Sequence, residues 1–350
     1  MFKQRSKKLL SLLAAGLLLI GAALGSWAPA FGANPQYFYY EPDVANKTEA
    51  RLNGELVNEQ ICEEGVVLLK NENNALPLAG GAKISVFGKN SVNLVYGGSG
   101  SVGGAGNEYV KSLFESLADA GFVYNPALKA FYENNNLSGP GRPKNLSMGV
   151  PSISTGETPS GSYTQDVKSS YAQYNDAALV VFSRIGGEGF DLPREGGYGA
   201  NAINPDDHYL QLDKNETGLL ADVCAAFDEV IVIINSSTPM ELGFLDDPAH
   251  YAYHPQIKGA LWIGAPGDTG IRALARILRG TVNPSGRLPD TWARNFKNDP
   301  TWQNFGTNGG GNAYTVPGGK FGGTELNEHF VDYEEGVYVG YRYYETRGFI

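Results

Sequence analysis

Residues 177–183 read AALVVFS. A continuous apolar run this short is what a β-strand covered on both faces requires. Two later stretches repeat the signal, EVIVIIN at 229–235 and KGALWI at 258–263. Between the first two, the spacing over Asp206–Phe227 predicts a helix, with Asn204 as its cap and Pro205 at its first position. After the third, Ile271–Leu278 predicts a short helix with basic residues in its last turns. Buried strands alternating with helices specify an α/β class, a mainly parallel sheet between helices.

Upstream, KISVFG at 83–88 predicts another buried strand. Thr48 is a candidate cap for a helical pattern running through Leu52, Leu56, Ile61, Val66 and Leu69 to Lys70. Asn107–Ala120 reads as an amphipathic helix ended by Gly121, before the apolar run Phe122–Tyr124. The polar stretch Asn134–Ser170 reads as a long loop with at best one short helix. Residues 304–323 are Gly-rich and read as a loop. Aromatic alternation over Tyr333–Tyr344 predicts a short antiparallel strand near the C-terminus.

Composition narrows the function. The chain has 350 residues, 42% hydrophobic, which is enough for a sizeable core and excludes disorder throughout. Its net charge is −10, although Lys3, Arg5, Lys7 and Lys8 crowd one end, so the body is more acidic still. Such a body is repelled by phosphate backbones and anionic lipid, which argues against a nucleic-acid partner. Glycine, at 46 residues, is about twice the usual share, so backbone-rich loops must be many.

The four N-terminal charges precede the uncharged run Leu9–Leu24 and the small-residue site Ala28-Pro29-Ala30. These are the parts of a secretory signal peptide, with an uncleaved membrane anchor as the alternative. Residues 1–33 are therefore expected to export the chain, 34–47 to link, and 48–350 to fold. Membrane contact is expected through the N-terminal segment alone. The 2 cysteines, Cys62 and Cys224, fall in predicted helices and read as small buried hydrophobes, with one bridge between them left open.

Ligands of open parallel sheets collect at the carboxyl ends of the strands. Four loops qualify: 88–106, containing Gly97-Gly98-Ser99-Gly100-Ser101; 184–199, RIGGEGFDLPREGGYG; 236–241, SSTPME; and 264–269, GAPGDT. Glu188 lies among glycines in the second, where a carboxylate can project into a cleft and serve as a general acid/base. The bland alternative is a solvated Gly-rich turn. Gly98-x-Gly100-x-x-Gly103 matches a dinucleotide pattern, but does not directly follow a strand, and no acid follows the next one. His250 and His254 have metal-ligand spacing, yet Pro248 and Pro255 bracket them and no strong third ligand is near. Ser236-Ser237 lacks the G-x-S-x-G elbow of a hydrolase nucleophile.

Six stretches carry a family resemblance: ICEEGVVLLKNENNALPL (61–78), ISVFGKN (84–90), YGGSGS (96–101), VVFSRIGGEGFD (180–191), NPSGRLPDTW (283–292) and YEEGVYVGYRYYET (333–346). In that order they resemble the C-terminal-type α/β sandwich domain of glycoside hydrolase family 3, which includes β-glucosidases. The resemblance implies a six-stranded, largely parallel sheet between helices. It implies a retaining mechanism in which the sandwich domain's Glu, here Glu188, protonates the leaving oxygen and then deprotonates water. Arg184, Asp191, Gly98 and Ser99 would border the sugar. Neither cofactor nor metal is implied, and the substrate would be a β-glycoside or oligosaccharide.

The family's nucleophilic Asp comes from a separate (β/α)8 barrel, within Ser-Asp-Trp or a similar motif. This sequence contains neither that tripeptide nor an eight-fold βα series. The expectation is therefore an N-terminal piece of a glycosidase with reversed domain order, its barrel encoded downstream of Ile350. One carboxylate cannot both form and resolve a covalent intermediate, so the chain alone is expected to be inactive. A non-catalytic carbohydrate-binding or surface module is the alternative.

Overall fold

A computed structural model of the chain describes residues 43–98, 109–143, 154–187, 192–194, 198–304, 312–321, 324–330 and 333–349. The Leu9–Leu24 run, the Ala28-Pro29-Ala30 site and the Gly100–Gly106 segment lie outside them. Among the described residues no helix is long and apolar enough to cross a membrane. Contacts divide the chain into Met1–Leu52 and Asn53–Ile350. In the first unit the described residues hold the start of helix α1 (Lys47–Gly65), where the Asn46 side chain accepts the Glu49 N–H at 3.0 Å. Asn46, rather than Thr48, is the cap.

The second unit carries a six-stranded sheet of β1 (Val67–Asn71), β2 (Lys83–Phe87), β3 (Val123–Tyr124), β4 (Ala177–Arg184), β5 (Val230–Ser236) and β6 (Ile257–Trp262), in the order β1-β6-β5-β4-β2-β3. All pairs are parallel except β1 with β6, where Val67 faces Trp262. The α/β class and the six strands expected from the resemblance are what the chain adopts. Residues 67–70, expected in the first helix, form the antiparallel edge strand instead. Gly65 ends the helix, and the aliphatic run beyond it gains more from pairing with β6 than from a further helical turn.

Alternation across the two central strands builds two cores. Ala178, Val180 and Phe182 of β4 join Val230, Val232 and Ile234 of β5 on one face. There they meet α3 (Pro126–Glu133), α4 (Gln165–Ser170) and α5 (Lys214–Ala226) through Phe131, Val167 and Leu220. Leu179, Val181, Ile231 and Ile233 face the other way, against Leu117 of α2 (Leu113–Asp119) and Leu274 of α6 (Ile271–Arg279). Burial of each of the Val, Ile, Leu and Phe side chains among these contributes about 1.5–3 kcal/mol. Cys62 and Cys224 are both free thiols on helices; Cys224 is buried and Cys62 half-buried.

Three further expectations are corrected. The helix predicted from Asp206 begins at Lys214, because Asp213 and Glu216 form a capping box there. The segment before it is instead tied down locally, Asp207 accepting the N–H groups of Ile203 and Asn204 at 2.8 and 2.7 Å. Within the Gly-rich 304–323 stretch lies strand β7 (Asn312–Phe321), paired antiparallel with β8 (Thr324–Phe330). Tyr333–Tyr344 is not a strand: Tyr341–Arg347 forms a helix, α8, following α7 (Pro300–Asn304) in helix order. The antiparallel element near the C-terminus is thus the β7–β8 hairpin.

Candidate active site

The carboxyl ends of the parallel strands β2, β4, β5 and β6 share one edge of the sheet, and Asn235 near the end of β5 clasps neighbouring strands and loops there. Its Oδ1 accepts the Val95 N–H at 2.7 Å and the Ser183 hydroxyl at 2.9 Å. Its Nδ2 donates to the carbonyls of Val95 and Gly264, at 2.9 and 2.8 Å. Just beyond, the Gly267 N–H donates to the Tyr96 carbonyl at 2.8 Å. Gly98, half-buried, follows directly from this anchored stretch. Gly88, which ends β2, has φ 97°, and an added Cβ would lie 2.6 Å from the Val181 carbonyl oxygen. Only glycine fits there.

Arg184 ends β4 and is 1% exposed. It was expected to border a sugar; the structure gives it another task. Nε donates to the Tyr209 carbonyl at 2.6 Å, Nη1 to Ser183 O and Glu216 Oε1 at 2.9 and 2.7 Å, and Nη2 to Gln211 O and Glu216 Oε2 at 2.5 and 2.7 Å. All five N–H groups are thereby used inside the protein, leaving none for a hydroxyl. Burial opposes the charge, but the Glu216 carboxylate against it holds the guanidinium well above its ordinary pKa. Glu216 also closes the capping box of α5, so Arg184 bolts the end of β4 to a helix start.

Glu188, Asp191 and Ser99 lie outside the described residues; what is described are the flanks of the Glu188 segment. The Ile185 N–H donates to the Tyr209 hydroxyl at 3.2 Å. The Tyr209 N–H donates to the Pro193 carbonyl at 3.0 Å. Tyr209 is fully buried in a small cluster with Val95, Ile185 and Tyr198. The Tyr198 hydroxyl lies 2.6 Å from both the Tyr209 and Gln211 carbonyls. A Cβ on Gly186 would approach Leu192 Cδ2 to 3.3 Å, so the two sides of the loop pack closely.

Two carboxyl clusters were not legible in the sequence. Glu157, inside the stretch read as a loop, is buried and accepts N–H groups from Lys89 at 3.0 and 3.1 Å and from Thr158 at 2.8 Å. Burial pushes its pKa up to about 8, against the pull of those N–H groups. Lys89 Nζ meanwhile donates to Tyr132 O, Ser138 Oγ and Asn135 Oδ1, at 2.5, 2.8 and 2.9 Å. Its pKa is lowered by burial and partly restored by Glu157. The second cluster pairs Glu241, from SSTPME, with His208 at 2.9 Å. His208 Nδ1 accepts the Leu210 N–H at 3.2 Å, so Nε2 carries the proton toward Glu241. Buried carboxylates of this kind leave no periodic signal in the sequence.

His250 stacks on Tyr251 with ring centroids 4.4 Å apart. Among the described residues no group of three or more His, Cys, Asp or Glu side chains is placed to hold a metal. The Gly98–Gly103 dinucleotide pattern lies largely outside the described residues.

Comparison with known proteins accords with this architecture. The family profile described as the Glycosyl hydrolase family 3 C-terminal domain matches residues 66–341. Beta-glucosidase A of Butyrivibrio fibrisolvens is 30% identical over 85% of this chain, which covers 33% of that protein. A beta-glucosidase of Ruminococcus albus is 27% identical over 82% of this chain and covered over 26% of its own length. The structure is similar to that of beta-glucosidase 3B from Thermotoga neapolitana in complex with glucose, with a TM-score of 0.65, 28% identity and coverage of 90% of this chain and 38% of the other. The chain thus spans only 33% and 26% of the lengths of those two curated relatives. With the family profile matching residues 66–341 and the fold similar to that solved beta-glucosidase, the chain belongs to glycosyl hydrolase family 3, as a domain of the family's C-terminal type.

Proposed function

We propose that this chain is the acid/base half of an exported, retaining β-glycosidase of β-glucosidase type. Glu188 protonates the leaving glycosidic oxygen, and its carboxylate then takes a proton from the water that releases the glycosyl-enzyme. The nucleophile is an Asp on a (β/α)8 barrel outside these 350 residues. Asp191, Gly98 and Ser99 border the sugar, while Arg184 holds the loop from beneath. No cofactor takes part, since two carboxylates suffice for glycoside cleavage.

The observation that carries this reading is the bracing of the Glu188 segment on both flanks by Tyr209. A general acid has to meet its substrate oxygen within hydrogen-bond reach, and fixed loop ends restrict where its carboxyl can go. The test is hydrolysis of an aryl β-glucoside by the chain with and without an added family barrel domain. Turnover is expected only in the mixture, and Glu188→Gln should abolish it. Full turnover by the isolated chain, or by the Gln variant in the mixture, would overturn the reading.

A further inference from the structure

On the face of the sheet that α4 and α5 cover, those two helices border a hollow of about 280 Å³. Leu219 and Val223, one turn apart on α5, share the side that lines it, with Asp222 beside them. Lys168 of α4 and Tyr171 just beyond that helix complete the lining, together with Phe87 and Tyr163.

The interior is apolar and its rings hold one another in place. Phe87 meets Tyr171 edge-on with ring centroids 5.1 Å apart, and Phe227 backs both at 5.4 and 5.7 Å. The Tyr163 hydroxyl is engaged by that of Tyr132 at 2.6 Å, which in turn accepts the Gly88 N–H at 2.9 Å. Tyr163 therefore offers the hollow a ring face. An apolar cavity of about 150 Å³ holds a benzene ring. This one has room for a ring and a short polar head.

The rim is charged, and with both signs. Lys168 and Asp222 are exposed and line the same hollow. Among the described residues, the Lys168 ammonium and the Asp222 carboxylate pair neither with each other nor with another side chain. Burial, and after it the Asp222 carboxylate, push the Tyr171 phenol above its ordinary pKa, so that charge is felt by the ring beside it.

A ligand that matches this hollow carries one apolar ring and, at one end, both a negative and a positive group. We propose that it binds a free α-amino acid with a single-ring side chain. The ring lies among Phe87, Tyr163 and Tyr171, the carboxylate at Lys168 and the ammonium at Asp222. An aromatic acid without the amine is repelled by Asp222, and an aromatic amine without the acid by Lys168. A neutral sugar answers neither charge. The site is independent of the role assigned to Glu188.

The test is titration of the 350-residue chain with phenylalanine, hydrocinnamate, phenethylamine and glycine, followed by ligand-observed NMR. Phenylalanine should bind saturably. Each of the others lacks one of its three groups and should bind about threefold more weakly or worse. Lys168→Met should weaken phenylalanine by about threefold and leave phenethylamine no weaker. Asp222→Asn should weaken phenylalanine likewise and leave hydrocinnamate no weaker. Both side chains are exposed, so a thermal melt of each variant should match the parent. No saturable binding of phenylalanine, equal binding of its two single-charge analogues, or indifference to either substitution would overturn the proposal.

Discussion

Ile185 and Pro193 are held by the same residue: the Tyr209 hydroxyl accepts the N–H of one, and the Tyr209 N–H donates to the carbonyl of the other. Between them runs the segment that carries Glu188. Tyr209 is in turn gripped through its carbonyl by Arg184 Nε at 2.6 Å. The catalytic loop of the proposed reaction therefore stands on a buried frame, and the frame can be tested apart from the chemistry.

Tyr209→Phe removes the acceptor for the Ile185 N–H and strands a buried donor. Unfolding in urea should show a loss of about 1–3 kcal/mol. In the barrel-complemented assay kcat should fall more than KM rises, because the acid loses alignment while the sugar contacts remain. Equal changes in both would mean that the flank does not position Glu188.

Arg184→Leu leaves the Glu216 carboxylate buried without its partner. Stability should drop by about 3–5 kcal/mol, and the double variant Arg184→Leu/Glu216→Leu should recover much of it. A single variant as stable as the parent would contradict the buried pair seen at 2.7 Å.

Glu157 makes stability depend on pH. Its folded pKa of about 8 lies above the ordinary carboxyl value, with burial as the main cause and Glu216 and Asp213 adding repulsion. The folded state thus holds the proton more tightly than the unfolded state. The contribution is complete below the ordinary carboxyl range and is lost as pH rises toward about 8. Urea midpoints should fall from pH 5 to pH 8, and Glu157→Gln, which cannot ionise, should flatten that slope.

Both cysteines should remain reduced. Burial pushes the Cys224 thiol up to about 12, so little thiolate forms near neutrality. Non-reducing gels should show no intramolecular bridge, and dithiothreitol should leave the melting temperature unchanged.

The strands that sequence made legible are those whose environment is uniform. β4 and β5 are buried along their whole length, so an unbroken apolar run was enough to find them. Sequence misled where a local hydrogen-bonded device competed with periodicity. The Asp213–Glu216 capping box moved the start of α5 past residues whose spacing also suited a helix. Tyr341–Arg347 alternates aromatics like a strand yet forms a helix, because no neighbouring strand pairs with it among the described residues. Site geometry was harder still. The sequence around Arg184 did not reveal that the guanidinium faces inward, since charge next to a Gly-rich turn reads the same whether it meets a ligand or a buried carboxylate.

The Asn235 amide, finally, bears on how such a domain could be re-engineered. One side chain serves Val95, Ser183 and Gly264 with both of its heteroatoms. A graft that exchanged any one of the segments this amide joins would have to preserve the matching donor or acceptor at that knot. Transplanting the segments together with position 235 is the route by which that edge could be remodelled without unpicking the sheet.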